Sequence, residues 1–354
     1  MTSTSNIKAQ QLWFTAPSQV EIREQVLPAP AAGELLIKSY YSAVSTGTEL
    51  LVYRGQIPAV MQLDPSLDSL QHASTYPLQY GYACVGQVIQ AGEGLAASWI
   101  GKLVFSFQPH ASHFIAAATN VIHLPSDIEP EAAVFLANME TAVNLVQDGN
   151  PALGERVVVL GQGVVGLLLS SLLAQHPLAD LLAVDGLVTR RGRAKQMGVE
   201  HVYDPATETS LAALKKRLFD RDETSNGKKG ADLIYEVSGA PAALNLAIEL
   251  SGYNSRIVIG SWYGNKSSTV DLGGEAHRNR LKIITSQVST IAPELGGRWD
   301  KSRRFELSWE MIRRVGPQAL ITHQFPLTAA PTLYQQLQQT PDDIVQAVFV
   351  YTDS

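Results

Sequence analysis

The feature that most constrains this chain is an apolar run that breaks into glycine-spaced residues and then resumes. Residues 157–160 read Val-Val-Val-Leu, and Gly161-Gln162-Gly163-Val164-Val165-Gly166 follows directly. On apolarity alone, 157–174 would pass for a membrane span. Its three glycines, Gln162 and two serines instead read as a buried strand, a turn and a helix. The next apolar run, 181–184, ends in an acid, Asp185, about 20 residues beyond the glycines. Each glycine has a geometric task in that context. Gly161 permits the tight turn, Gly163 lets backbone approach a pyrophosphate, and Gly166 lets helix and strand pack closely. Val164 and Val165 open the helix, whose free N–H groups and positive dipole end suit a diphosphate.

Asp185 then bears on the dinucleotide. A carboxylate accepts both hydroxyls of an adenosine ribose and repels a 2′-phosphate, by about 4 kcal/mol at ~4 Å and an effective dielectric of ~20. NAD is the expected coenzyme. NADP is the alternative, because Arg190, Arg191 and Arg193 lie close enough in sequence to offset the charge; Arg190 is the candidate ligand.

The chain has 354 residues, two domains' worth, with 45% hydrophobic and 17% charged residues, which excludes disorder. A net charge of −6 with no basic block excludes a nucleic-acid footprint. One cysteine, Cys84, rules out an internal disulfide and fits a reducing compartment. Residues 1–14 lack the basic start and apolar stretch of a signal peptide. The expectation is a cytoplasmic protein with a small-molecule substrate and no membrane partner. Turn residues at short intervals through the first third predict a largely β domain, with strands over 81–91, 103–107 and 113–118. Residues 129–147 read as helical, 148–151 as a domain crossing and 220–230 as a solvated loop. From residue 156, apolar runs at 157–160, 181–184, 233–237, 256–259 and 281–284 alternate with helices, the clearest at 164–175 and 240–250. That alternation predicts a parallel sheet covered on both faces. A helix is expected over 303–315 and a strand over 344–350 that returns to the first domain.

Beyond the glycines, four stretches resemble the medium-chain dehydrogenase/reductase superfamily, one being 136–145 with Thr141-Ala142, similar to its helix that crosses toward the nicotinamide. Residues 230–239, ending in Glu236-Val237-Ser238-Gly239, look like its fourth Rossmann strand and turn. Gly81-Tyr82-Ala83-Cys84-Val85-Gly86-Gln87-Val88 looks like its GHExxGxV strand, and 320–327 like the segment that rejoins its catalytic domain. The resemblance implies an α/β architecture. A GroES-like, mostly β catalytic domain (1–147 and 291–354) would flank a Rossmann domain with a doubly wound parallel sheet (148–290), assembled as a homodimer or homotetramer. It further implies that Glu140 and Thr141 lie near the nicotinamide or its ribose, with Ser238, Gly260, Ser261, Ser286 and Gln287 on the coenzyme side. Ser45-Thr46-Gly47-Thr48-Glu49 is similar to the branch containing bacteriochlorophyllide a dehydrogenase.

The departures are equally specific. Zinc members carry Cys where Thr46 stands and His-Glu where Tyr82-Ala83 stands, and they carry a four-cysteine loop that this chain lacks. A catalytic zinc takes three thiolate, imidazole or carboxylate ligands, so no zinc is expected. His110 and His113 read as surface or packing residues, since positions three apart on a strand face opposite sides. Without a metal, hydroxyl donors must polarise the substrate oxygen. Thr46, Tyr82 and Tyr53 are the candidates, and Glu49 is the acid that orients a hydroxyl or relays a proton. The long connection 56–80 reads as a cover over the site. Trp299 among four cations, Arg298, Lys301, Arg303 and Arg304, reads as part of a lid or subunit contact. Alcohol/ketone interconversion leads. Reduction of an activated C=C bond, or coenzyme binding without catalysis, are the alternatives.

Overall fold

A computed structural model describes residues 7–58, 62–63, 67–71, 73–220 and 229–351. Most of the loop expected over 220–230, and parts of the 56–80 connection, lie outside the described residues. Contacts divide the chain into two compact units, 1–137 with 312–354 and 138–311. The sequence had placed the divisions at 147/148 and 290/291.

Unit 1 begins with a hairpin of β1 (Ile7–Ala16) and β2 (Gln19–Leu27), antiparallel to one another. It continues through β3 (Glu34–Ala43), α1 (Thr46–Tyr53), β4 (Cys84–Ala91), β5 (Leu103–Ser106), β6 (His113–Ala117), β7 (Val121–His123) and α2 (Pro130–Ala133). The helix expected over 129–147 is two: α2, with Pro130 at its start, and α3 (Leu136–Gly149), which runs across the boundary between units. The apolar face of the main sheet closes over Leu35, Ile37, Cys84, Val88, Val104, Phe114 and Ala116.

Unit 2 alternates strand and helix: β8 (Arg156–Leu160), α4 (Val164–Leu173), β9 (Asp180–Val184), α5 (Val188–Gln196), β10 (His201–Tyr203), α6 (Glu208–Phe219), β11 (Ala231–Glu236), α7 (Ala243–Leu250), β12 (Ser251–Ile259), α8 (Glu275–Arg278) and β13 (Lys282–Thr285). Its strands pair in parallel in the order β10-β9-β8-β11-β12-β13. All five residues of β8 are buried, because β8 is central and helices cover both faces. α4 is leucine-rich on every side for the same reason. α6 is one-sided instead: Leu214 and Leu218, one turn apart, are buried, with Leu211 and Phe219 packed beside the core. β10 was not visible as a run because its three residues are only half-buried on the sheet's edge.

The chain closes with α9 (Lys301–Val315), β14 (Ile321–Pro326), α10 (Ala330–Gln339) and β15 (Gln346–Val350). β15 pairs antiparallel with β3 and parallel with β14, so the final apolar run does rejoin the unit 1 sheet. Among the described residues no helix is long and apolar enough to cross a membrane.

Cys84 is fully buried on β4, with its sulfur 3.3 Å from the Ser39 hydroxyl. Burial pushes its thiol up to about 12, against a smaller lowering by that hydrogen bond. The folded protein should therefore resist iodoacetamide at pH 8, and guanidinium-unfolded protein should take up one equivalent. Mass spectrometry of alkylated protein checks both.

Candidate functional site

The glycine turn of unit 2 sits at the carboxyl end of β8. Gly161 has φ +98°, and a Cβ there would meet the Ser238 α-carbon at 2.5 Å. A Cβ on Gly166 would stand 2.0 Å from the Gly161 carbonyl oxygen, so strand end and helix touch through bare backbone. Gly163 is the contrast. The nearest atom to its would-be Cβ is Nη1 of Arg190, at 3.9 Å. The space is open where the first N–H groups of α4, from Val164 and Val165 onward, lack helical acceptors. Gln162 does not face that space. Its amide lies fully buried, bonded to the Val159 carbonyl at 3.4 Å and the Ser170 hydroxyl at 3.1 Å.

Asp185, directly after β9, is 8% exposed. It accepts the Gln162 N–H at 2.7 Å and the Leu187 N–H at 2.8 Å. Arg191 is engaged by the Asp185 carbonyl and Asp204. Arg190 is held more loosely: its Nη1 pairs with Asp185 at 3.9 Å, and its buried Nε has no hydrogen-bond partner. A guanidinium with a spare donor therefore stands beside the acid at the mouth of the turn. A diphosphate on bare amides, a ribose at Asp185 and a cation beside it all fit a dinucleotide.

The remaining coenzyme candidates lie at the carboxyl ends of β11, β12 and β13. Buried Glu236 accepts the Ser238 N–H at 2.8 Å, the Ser238 hydroxyl, and the Tyr263 hydroxyl at 2.5 Å. Ser261 accepts the Gly239 N–H at 2.8 Å, and the Gly260 N–H reaches the Glu236 carbonyl. Ser286 donates to Asp148 at 2.6 Å, and Gln287 accepts the Ser289 N–H at 3.0 Å. Thr141 is half-buried on α3. Glu140, placed near the nicotinamide from the sequence, is not a free acid. It is 2% exposed and ion-paired to Arg304 and Lys301. This also accounts for much of the cation-rich stretch: Arg304 and Lys301 hold Glu140, and Arg303 stacks 4.2 Å over Trp299.

In unit 1, Thr46 opens α1, and the Tyr82 hydroxyl bonds the neighbouring Ser45 hydroxyl. Tyr82, Ser45 and Thr46 are all partly exposed. Tyr53 is not with them: it is 5% exposed, its ring 5.3 Å from that of Tyr334, and burial raises its hydroxyl's pKa. Beneath Ser45, Glu49 is fully buried. It accepts the Ser45 N–H at 2.7 Å and the Tyr334 hydroxyl, and it faces His110 Nε2 at 3.1 Å. His110 Nδ1 meets the Ser42 hydroxyl at 2.7 Å, and Ser42 meets the Tyr351 hydroxyl at 2.7 Å. Burial, then the Glu49 charge, push the Tyr334 hydroxyl well above its ordinary range, so it stays protonated as a donor.

The sequence missed His110, Tyr334, Ser42 and Tyr351. The expectation that His110 lies on a strand is corrected, and of the two readings given, surface or packing, packing holds. His110 precedes β6, is fully buried, and belongs to a polar chain. His113 does open β6, half-buried, with its pKa lowered by burial and then by Lys38. No spacing could have found partners lying 61 and 285 residues from Glu49.

The donor set does not fit a catalytic zinc. Glu49 and His110 are bound to each other, Cys84 is buried against Ser39, and Thr46 and Tyr82 are poor ligands. Among the described residues, no three His, Cys, Asp or Glu side chains cluster as metal ligands.

Comparison with known proteins agrees with the fold. The zinc-binding dehydrogenase family matches residues 164–300. D-guloside 3-dehydrogenase of Escherichia coli K12 is 25% identical over 351 residues, 95% of this chain and 98% of that one. The solved alcohol dehydrogenase rspB of E. coli CFT073, complexed with NADH, superposes with a TM-score of 0.76 at 18% identity, covering 97% of this chain and 99% of that one. A zinc-binding dehydrogenase from Sinorhizobium meliloti 1021 bound to NADP gives 0.75 at 15%, with the same coverage. The family match over unit 2 and the dehydrogenase relatives agree with the resemblance to the medium-chain dehydrogenase/reductase superfamily read from the sequence.

Glu49→Ala would orphan His110, Tyr334 and the Ser45 N–H together. It should destabilise unit 1 by roughly 3–5 kcal/mol, as breaking a buried charged network does, with Glu49→Gln costing less. Denaturant titration of both variants measures the difference.

Proposed function

We propose that this protein is an NAD(P)-dependent oxidoreductase that interconverts a small-molecule alcohol and its ketone without a catalytic zinc. Tyr82 and Thr46 supply the hydroxyls that touch the substrate oxygen. The observation that carries the reading is the Tyr82–Ser45 hydroxyl pair seated on the buried Glu49–His110 pair. By the resemblance, Tyr82 and Thr46 occupy positions where zinc members carry metal ligands. A bound nicotinamide supplies the hydride acceptor. Oxidation also releases the alcohol's hydroxyl proton: Tyr82 takes it as its own proton passes to the Ser45 hydroxyl to which it donates, and partly exposed Ser45 gives one up to water. Glu49 grips the Ser45 N–H and so fixes where the Ser45 hydroxyl stands. The alcohol-oxidising names of the E. coli relatives support this reading over C=C reduction.

One positioned hydroxyl is worth about 10²–10³ in turnover. Tyr82→Phe should lower kcat by that factor and leave coenzyme Kd unchanged. Dialysis against a chelator should leave wild-type turnover intact. Steady-state rates on a panel of secondary alcohols and enones check this. Activity lost on chelation and restored by zinc would overturn it, and turnover of enones alone would select C=C reduction.

NAD is the proposed coenzyme, because Asp185 presents a carboxylate at the end of β9, where a ribose would lie. NADP is the second reading, favoured by the unpartnered Nε of Arg190. Arg190→Ala should reduce kcat/KM with NADP about tenfold or more, the scale of one charge-assisted hydrogen bond, and leave NAD unaffected. Kinetics with both coenzymes measure the ratio. β13 ends the unit 2 sheet with Ile283 42% exposed, which supports a homo-oligomer.

A further inference from the structure

Arg304 heads the largest fully buried side chains of the described residues. A buried guanidinium is tolerated only when its donors are matched. Here Nε reaches Glu140 at 3.0 Å, and Nη1 reaches the Asn144 side-chain oxygen at 2.5 Å and the Thr290 carbonyl at 3.0 Å. Nη2 bonds the Val288 carbonyl. Lys301 repeats the pattern, joining Glu140 to the Val288 carbonyl at 3.1 Å. Glu140, Asn144 and Asp148 are spaced by four along α3 and so share one face. Asn144 donates to the Ser286 hydroxyl at 2.8 Å and to Asp148 at 2.9 Å. The segment 286–290 is thereby held at Ser286, Val288 and Thr290 by side chains from two helices.

That segment begins where β13 ends, and the Ser286 N–H bonds the carbonyl at the end of β12 at 2.8 Å. In a sheet ordered β10-β9-β8-β11-β12-β13, the strands on the β11 side of β8 build the second mononucleotide half. The diphosphate belongs at the β8 turn, so the nicotinamide falls at the ends of β11 to β13. We infer that Arg304 is a positioning residue: it fixes 286–290 as a rigid wall for the nicotinamide half of the coenzyme. This rests on the nicotinamide reading of unit 2. Two buried charges from α3 and α9 are needed because two carbonyls of the wall point inward, where an apolar neighbour would leave them unpaired.

The test compares NADH with ADP-ribose, which lacks the nicotinamide ring. Two variants keep the experiment interpretable. Arg304→Lys retains the charge and loses the fork. The double variant Arg304→Met/Glu140→Met replaces the pair with apolar groups, an exchange that buried ion pairs tolerate. In both, calorimetry should give ADP-ribose affinity within about twofold of wild type, with NADH about tenfold or more weaker, the scale of a lost charge-assisted contact. The shifted emission of bound NADH should disappear as well, a change that general destabilisation would not produce. Unchanged NADH affinity and emission, or loss of NADH and ADP-ribose in equal proportion, would overturn the inference. If the wild type binds neither ligand, the nicotinamide reading falls first and takes this inference with it.

Discussion

Unit 2 depends on one close approach. The Gly161 carbonyl and the α-carbon of Gly166 meet with no room for a side chain between them, so β8 passes directly into α4. The helix start is thereby aimed at the sheet's carboxyl edge, where backbone N–H groups are unpaired. Asp185 locks the arrangement by accepting the Gln162 N–H, joining the turn to the end of β9. One carboxylate so serves two purposes. It closes the turn, and it presents charge where a ribose would lie.

Both units bury acids, and in each case the charge is enclosed by donors. Glu49 has Ser45, His110 and Tyr334; Glu140 has Arg304 and Lys301; Glu236 has Ser238 and Tyr263. Unmatched, each would be strongly disfavoured in an apolar interior. Matched, each pins a backbone segment, namely the start of α1, residues 286–290 and the turn after β11. Stiffness at these places is an electrostatic property, because hydrophobic packing alone does not fix the direction of a hydroxyl or a carbonyl.

The coenzyme region was legible because its signals are local. A glycine at φ +98°, a helix start and an acid one strand later lie within a short stretch, and each obeys backbone geometry. Thr46 and Tyr82 were proposed from their positions in family-like motifs, and both are partly exposed. What the sequence did not carry is that Tyr53 lies in the core and that Glu140 is ion-paired.

Composition, periodicity and glycine spacing determined the fold class, the parallel sheet and the nucleotide turn. These follow from local backbone sterics and from burial, which repeat along the chain. Which polar groups are partners was decided by tertiary structure alone. Glu49 finds Tyr334 across 285 residues, and Arg304 finds Glu140 across 164. A buried charge selects its neighbours by three-dimensional reach, and sequence separation carries no trace of that choice.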